Sequence, residues 1–567
     1  MEQQRILLLF AFALVLFLIF DAWQRDHALP VQAGGDVVMT KPSTAGLDDI
    51  PVSTDDASEP VLKPASPSSR TNATTFAKQQ RVSVTTDVYS IELDSKGGDL
   101  RQVDLLQYPQ SSDNPEKKFR LMKDTGADLF VAQSGFNTPK KGSSLEADAP
   151  NHLTVYKVAQ TRYSMADGAE KLIVPFVWVN SRGVEFIKEY IFTRNSYVIE
   201  VKHKINNRTN RSVSGKLYYQ LRRKYTDTSS VNMLPTYLGG VIYSPEEKYQ
   251  KISFDDIEDS NLNQLVKGGW TAMIQHYFLG AWIPDEKAPA KFYTSYSGEK
   301  ETYTIGFKDI DAITAAPGTQ AETSVRMFVG PKLQDELEAT ATGLELTVDY
   351  GWTTFFAKGL FWLLDYFHGL TGNWGWAILL LTLTVKLIFY KLSEKSYKSM
   401  AKMRAVQPRL VALKERFADD KQAMNRALMD MYKKEKINPL GGCWPILIQI
   451  PVFIALYYVL LESVEMRQAP WIFWITDMSI KDPFFVLPVL MGISMFIQQK
   501  LNPAPLDPMQ AKIFMFLPIV FTGLFMTFPA GLVLYWVANN VLSIGQQWYI
   551  TRVVMKDLPG NAVGKKK

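Results

Sequence analysis

Cysteine is almost missing from this chain of 567 residues: Cys443 stands alone, so no intramolecular disulfide and no thiolate metal cluster can form. Five scattered histidines offer no ligand spacing either. No Walker loop, dinucleotide fingerprint, zincin motif or Gly-x-Ser-x-Gly elbow occurs, so no cofactor is expected. A strong charge of one sign is also lacking. The net charge is +5, with the Lys and Arg excess near apolar segments, which argues against a nucleic-acid-binding domain and for a topology signal. Finally, Asp and Glu are missing from the long apolar runs of the C-terminal half, where an ion-coupled transporter would need them.

A mean hydropathy of -0.07 averages two unlike regions. Residues 1–23 carry the apolar run Ile6 to Phe20 after Arg5 and read as an N-terminal transmembrane anchor. A cleaved signal peptide is the alternative, but Val31-Gln32-Ala33 lies too far beyond Phe20 and no lipid-accepting Cys follows. Residues 24–78, rich in Pro, Ser, Thr and Asp, read as a disordered linker. From 79 to 348 short alternating runs are punctuated by turns such as Lys96-Gly97-Gly98-Asp99 and Asn180-Ser-Arg-Gly183, the pattern of an antiparallel β-sandwich outside the cytoplasm.

Residues 349–368 change period. Trp352, Phe355, Phe356, Leu360, Leu363, Leu364 and Phe367 recur at helical spacing, which predicts an amphipathic helix in the membrane interface; a core helix of the sandwich is the alternative. A second span is expected within 369–391 (Trp374–Tyr390). Spans three to six fall within 441–550, at Gly441–Leu461, Phe484–Gln499, Ile513–Phe528 and Ala530–Ile550. Lys402, Arg404, Arg409, Lys414 and Arg416 stud the 392–440 loop, and the tail 551–567 is basic. The positive-inside rule therefore predicts six spans with both termini cytoplasmic. Within the loop Met400, Met403, Val406, Leu410, Leu413 and Phe417, then Met424, Ala427, Leu428 and Met431, form two apolar stripes. They predict a helical hairpin suited to ribosomes or apolar polypeptide.

Lys386 stands inside the second span, where a cation costs roughly 2.5–3.5 kcal/mol unless it meets water, a partner or a cavity. Thr382, one turn earlier, shares its face. Trp536, Asn540, Ser543 and Gln547 make a polar-aromatic stripe on the last span, and Gln449 adds an amide to the third. Polar groups in lipid need internal or aqueous partners, so these residues are expected to converge on a groove open to the cytoplasm. Lys386 lies about one turn from its helix end, so snorkelling to water stays open as a second reading. For each amide, ordinary interhelical hydrogen bonding stays open.

Asn438-Pro-Leu-Gly-Gly-Cys-Trp-Pro-Ile-Leu-Ile-Gln-Ile-Pro-Val-Phe453, Val464-Glu-Met-Arg-Gln-Ala-Pro-Trp471, Asp507-Pro-Met-Gln510, Pro529-Ala-Gly-Leu-Val-Leu-Tyr-Trp536 and Ser399-Met-Ala-Lys-Met-Arg404 resemble the YidC-type bacterial membrane protein insertases. The likeness runs from about Trp352 to Gln547. It implies an inner-membrane protein of the Gram-negative type, with a galactose-mutarotase-like periplasmic sandwich and the Sec translocon as a partner. It also implies that Lys386 occupies a groove position where arginine is usual, that Thr382 matches a groove threonine, and that Trp536 falls where tyrosine is common. Lysine keeps the charge but loses the planar fork; tryptophan keeps the ring but loses the hydroxyl.

The function expected is an insertase and chaperone, not an enzyme, for nascent membrane proteins in the lipid bilayer. The groove attracts an acidic client tail, while Phe453, Leu456, Phe514, Phe521, Phe525 and Met526 form a greasy slide for its apolar span. The basic hairpin and tail would receive the ribosome and targeting machinery. A secondary transporter and a membrane-anchored carbohydrate-binding protein are the rivals; the first lacks an internal repeat and the second leaves the apolar half unexplained.

Overall fold

The computed structural model describes residues 79–138, 144–225, 236–417, 420–435, 444–502 and 508–554. The expected anchor 1–23, the linker 24–78, residues 418–419 between the two hairpin stripes, the Asn438 to Cys443 stretch and the tail beyond Val554 lie outside them. The chain divides into two compact units, Pro30–Val348 and Asp349–Lys567 with Met1–Leu29.

Period-two burial builds the first unit. Strand Val198–Asn206 buries alternate residues along its length. It lies between Glu185–Thr193 and Gln320–Pro331, antiparallel to both, with Ile199 opposite Phe192 and Met327. This strand belongs to a nine-stranded sheet. A ten-stranded sheet and a two-stranded ribbon complete the described strands, as a β-sandwich requires. Val84, Ile91, Leu93, Phe176, Trp270 and Trp282 are among the side chains buried inside it. Two short helices, α1 (Phe254–Asp259) and α2 (Gln334–Thr340), accompany the strands. The Gly-Gly turn needs its glycines: Gly97 sits at φ 78°, and a Cβ there would lie 2.6 Å from the His152 carbonyl oxygen.

Helices make up the second unit: α3 (Thr354–Thr371), α4 (Trp374–Ile388), α5 (Tyr390–Arg416), α6 (Lys421–Lys434), α7 (Trp444–Glu462), α8 (Val486–Leu501), α9 (Pro508–Phe525) and α10 (Ala530–Tyr549). The helix expected over 349–368 begins later, after a 3-10 turn at Gly351–Thr353, and ends later, where Gly372 in the left-handed region caps it. Asn373 starts α4, its Oδ1 accepting from the Gly375 and Trp376 amides at 3.0 and 3.2 Å.

The expected second span is a bent pair. α4 and the first part of α5, up to Leu413, meet at 68° around Phe389. Together they are long and apolar enough to cross a membrane, whereas no single helix among the described residues is. The other apolar helices are offset from the expected spans by up to five residues, with Pro451 and Pro518 inside α7 and α9.

α10 packs on α4 and α8, α8 on α9, and α3 on α4 and α7. α5 and α6 pack as two stripes: Val406 and Leu410 are buried against Met403, Leu428, Met431 and Tyr432.

Candidate functional site

Lys386 is half-buried on α4, and its Nζ donates to Ser543 Oγ of α10 at 2.7 Å. Ser543 in turn donates to the Asn539 carbonyl at 2.6 Å, so its oxygen is free to accept the ammonium hydrogen. Two helices thus meet at one hydroxyl, and α5 also packs on α10. Thr382 is buried in the same face of α4, but its Oγ1 donates to the Ile378 carbonyl at 2.7 Å, the back-bonding typical of threonine in a helix.

The last-helix stripe divides. Asn540 donates to Ser494 Oγ of α8 at 3.0 Å, and Gln547 to the Leu501 carbonyl and Asn502 Oδ1, each at 3.2 Å. Both are buried, so their amides close the α8–α10 seam and their hydrogen-bond partners lie away from Lys386. Gln449 of α7 donates to Asn539 Oδ1 at 2.7 Å. Trp536 packs between Phe453 (ring centroids 4.6 Å) and Phe525 (5.6 Å, edge to face), joining the aromatic residues and not the cation. A 100° step per residue gives a stripe wide enough to serve two neighbours, which is why one row of polar side chains splits here.

Ser494, Asn502 and Asn539 complete these contacts and were missed. Asn539 directly precedes Asn540, and a second amide on that helix was the available signal.

Among the slide residues Leu456 and Phe525 are buried, Phe525 stacking on Phe528 at 5.0 Å. Phe453, Phe514, Phe521 and Met526 are partly exposed. The open apolar face of α9 is instead Ile513, Phe516, Ile519 and Val520, each more than half exposed.

On the hairpin, Arg409 pairs with Glu435 at 2.8 Å, Arg404 and Arg416 are exposed, and Lys402 is half-exposed. The side chain of Lys414 lies outside the described residues.

A second buried cation sits in the sandwich. Strand alternation turns Lys188 inward, where its Nζ donates to the Gly97 and Ser134 carbonyls at 3.1 and 3.3 Å. Asp99 lies nearby, bound by Arg101 and Gln133 at 2.9 Å each. Burial lowers the Lys188 amine to about 8, partly offset by Asp99. His152 is pushed down to about 3, first by burial and then by Arg222, and shares a short hydrogen bond with Tyr218.

A strand-built domain joined to an apolar helical bundle that holds buried polar groups defines a membrane protein with a large extramembrane domain. Residues 81–363 match the family described as YidC periplasmic domain, and residues 366–557 match the 60Kd inner membrane protein family. The Membrane protein insertase YidC of Thioalkalivibrio sulfidiphilus is 48% identical over 98% of this chain and 99% of its own. That of Methylococcus capsulatus is 47% identical over 95% and 96%. The chain belongs to the YidC family of membrane protein insertases, and it is an inner-membrane protein with a periplasmic domain.

Among solved structures, an active YidC insertase with its first transmembrane domain resolved is 18% identical, with a TM-score of 0.37 over 83% of this chain and 93% of that one. A galactose mutarotase related enzyme from Lactobacillus acidophilus is 11% identical, with a TM-score of 0.29 over 44% and 97%.

Proposed function

We propose that this insertase works through the Lys386–Ser543 pair, the polar centre of a groove between α4, α5 and α10. As a member of its family the chain inserts membrane proteins into the bilayer and is not an enzyme; the transporter and carbohydrate-binding readings find no support among its relatives. The observation that carries the proposal is the 2.7 Å bond from Lys386 to a neighbouring helix. It favours a cation held within the bundle over one that snorkels to its edge.

A polar client segment loses its water on crossing about 30 Å of hydrocarbon. A cation within the bundle shortens that crossing by attracting an acidic tail, which takes the place of Ser543 as the partner of Nζ. The client's apolar span then passes along the open face of α9 and the partly exposed Phe453, Phe514, Phe521 and Met526. Trp536, wedged between Phe453 and Phe525, links this apolar surface to α10. Gln449, Asn540 and Gln547 hold α7, α8 and α10 around the groove, and Thr382 keeps the face of α4 polar.

In the finer reading, an N-terminal anchor (residues 1–23), a linker (24–78) and the sandwich (79–348) precede an interfacial α3 and five further spans. Both termini are cytoplasmic. The α5–α6 hairpin, with Lys402, Arg404, Arg409, Lys414 and Arg416, and the basic tail receive the ribosome and targeting machinery. The Sec translocon is a further partner.

The test is insertion of a small client with an acidic outer tail into proteoliposomes, read by protease protection. Protection is expected to need the chain and to fall in Lys386→Ala. Equal protection by wild type and variant removes the charge from the mechanism. Deleting residues 80–340 is expected to leave most of the insertion intact.

A further inference from the structure

The segment between α7 and α8, residues 463–485, is a bonded frame and not a loose connection. Asp482, 1% exposed, accepts from Trp474 Nε1 at 3.0 Å and from the Phe484 and Leu487 amides at 3.0 and 2.7 Å. The Ala530 and Gly531 amides at the start of α10 donate to the Ile480 and Met478 carbonyls at 2.7 and 2.9 Å. Asn373, the cap of α4, donates to the Pro470 and Trp471 carbonyls at 3.1 and 3.2 Å. Gly375 leaves room for the Trp471 ring, which a Cβ would meet at 2.0 Å.

This frame presents aromatic side chains outward. Phe473 is 86% exposed and sits at φ 52°, a left-handed backbone that a bulky residue rarely adopts. Its ring stacks on Trp474 (5.9 Å between centroids), and Trp474 meets Phe484, itself 68% exposed, edge-on at 6.4 Å. A strained, exposed phenylalanine on a well-bonded frame adds little to the core of the unit that holds it. Such a feature points to a partner that buries the ring.

The apolar surface continues onto neighbouring elements. Trp376 of α4 is exposed and meets Trp471 at 6.1 Å, while Tyr366 and Leu370 of α3 are exposed just before the Asn373 latch. Aromatics drawn from three segments around one end of a bundle suit a plane better than a single strand or helix. Arg467 and Lys481 are the only basic residues of 463–485, whereas α5, at the far end of α4, is rich in them. In an inner-membrane protein the plane with this chemistry is the bilayer interface, where aromatic rings settle at headgroup level.

We propose that Phe473, Trp474 and Phe484 form a wedge that inserts into the bilayer interface at the end of the bundle where α4, α8 and α10 begin, and that it fixes the depth of those helices.

The full chain carrying Cys443→Ser and Phe473→Cys, labelled with a nitroxide and reconstituted in phospholipid vesicles, tests this. Collision with oxygen is expected to dominate over collision with a water-soluble nickel complex, placing the label about 5–10 Å inside the interface. A label at Lys287→Cys on the sandwich should show the reverse. Predominant nickel collision at position 473 overturns the proposal. So does weak collision with both reagents, which marks a site covered by protein, residues 1–23 of this chain included. Should Phe473→Cys fail to fold, Phe484→Cys carries the same readings.

Discussion

Two lysines, Lys188 in the sandwich and Lys386 in the bundle, are removed from water in different ways. Lys188 is fully buried; two backbone carbonyls and the nearby Asp99 surround it, all contributed by strands and turns that cannot move independently. Lys386 is half-buried and bound by one side-chain hydroxyl on another helix. A cation whose partners are backbone is part of the architecture, because releasing it would leave unpaired polar groups in a dry interior. A cation held by a single rotatable hydroxyl can exchange that partner for a better one. A carboxylate is such a partner, since charge-assisted bonds are roughly twice as strong as neutral ones. The distinction between structure and function here lies in the partner, and hardly in the lysine.

The largest effect expected is on the first of them. Lys188→Ala leaves two buried carbonyls short of a donor and removes the cation beside Asp99, and should destabilise the sandwich by about 2–5 kcal/mol, measured by denaturant unfolding. A loss below about 1 kcal/mol would mean that Lys188 is as replaceable as Lys386. Next, Lys386→Glu should cut insertion of clients with acidic outer tails at least ten-fold, as the loss of a charge-assisted contact of about 1.5–3 kcal/mol implies. Its denaturation curve should move far less than that of Lys188→Ala. Ser543→Ala removes one neutral acceptor worth roughly 1 kcal/mol, so insertion should change by no more than about five-fold. A loss equal to that of Lys386→Ala would show that Ser543 positions the amine.

Acidification gives the smallest effect. His152, held near 3 in the fold against an ordinary 6.5, binds more protons when unfolded, so stability falls as pH drops through about 6.5. Between about pH 7 and pH 6 the loss is roughly 0.7 kcal/mol. His203, buried and also held well below its ordinary value, contributes in the same direction, so His152→Gln should roughly halve the slope, and an unchanged slope would place the titration elsewhere.

Much of the fold was legible because its signals are local. The alternation of Val198–Asn206, the turns at Gly97 and Asn180 and the apolar stripes of α5 and α6 each follow from a few consecutive residues. Element ends were less legible: α4 stops at Ile388 although its apolar run continues to Tyr390, since a bend is decided by what the helix packs against. The candidate site was half legible. Lys386 was conspicuous by its expense in an apolar run, and Ser543 by its place on a polar stripe, but the stripe could not say which neighbour each of its members faces.

By itself, then, the sequence determined the division into a strand-built and a helix-built region, the absence of an intramolecular disulfide and of a thiolate cluster, and the family. Each rests on periodicity, composition or motif. The tertiary structure decided that Lys386 meets Ser543, 157 residues away, that Asn540 and Gln547 turn to α8, that Trp536 joins the aromatics, and that Lys188 is walled in. Such pairings depend on the rotation and packing of whole elements, which no local pattern encodes.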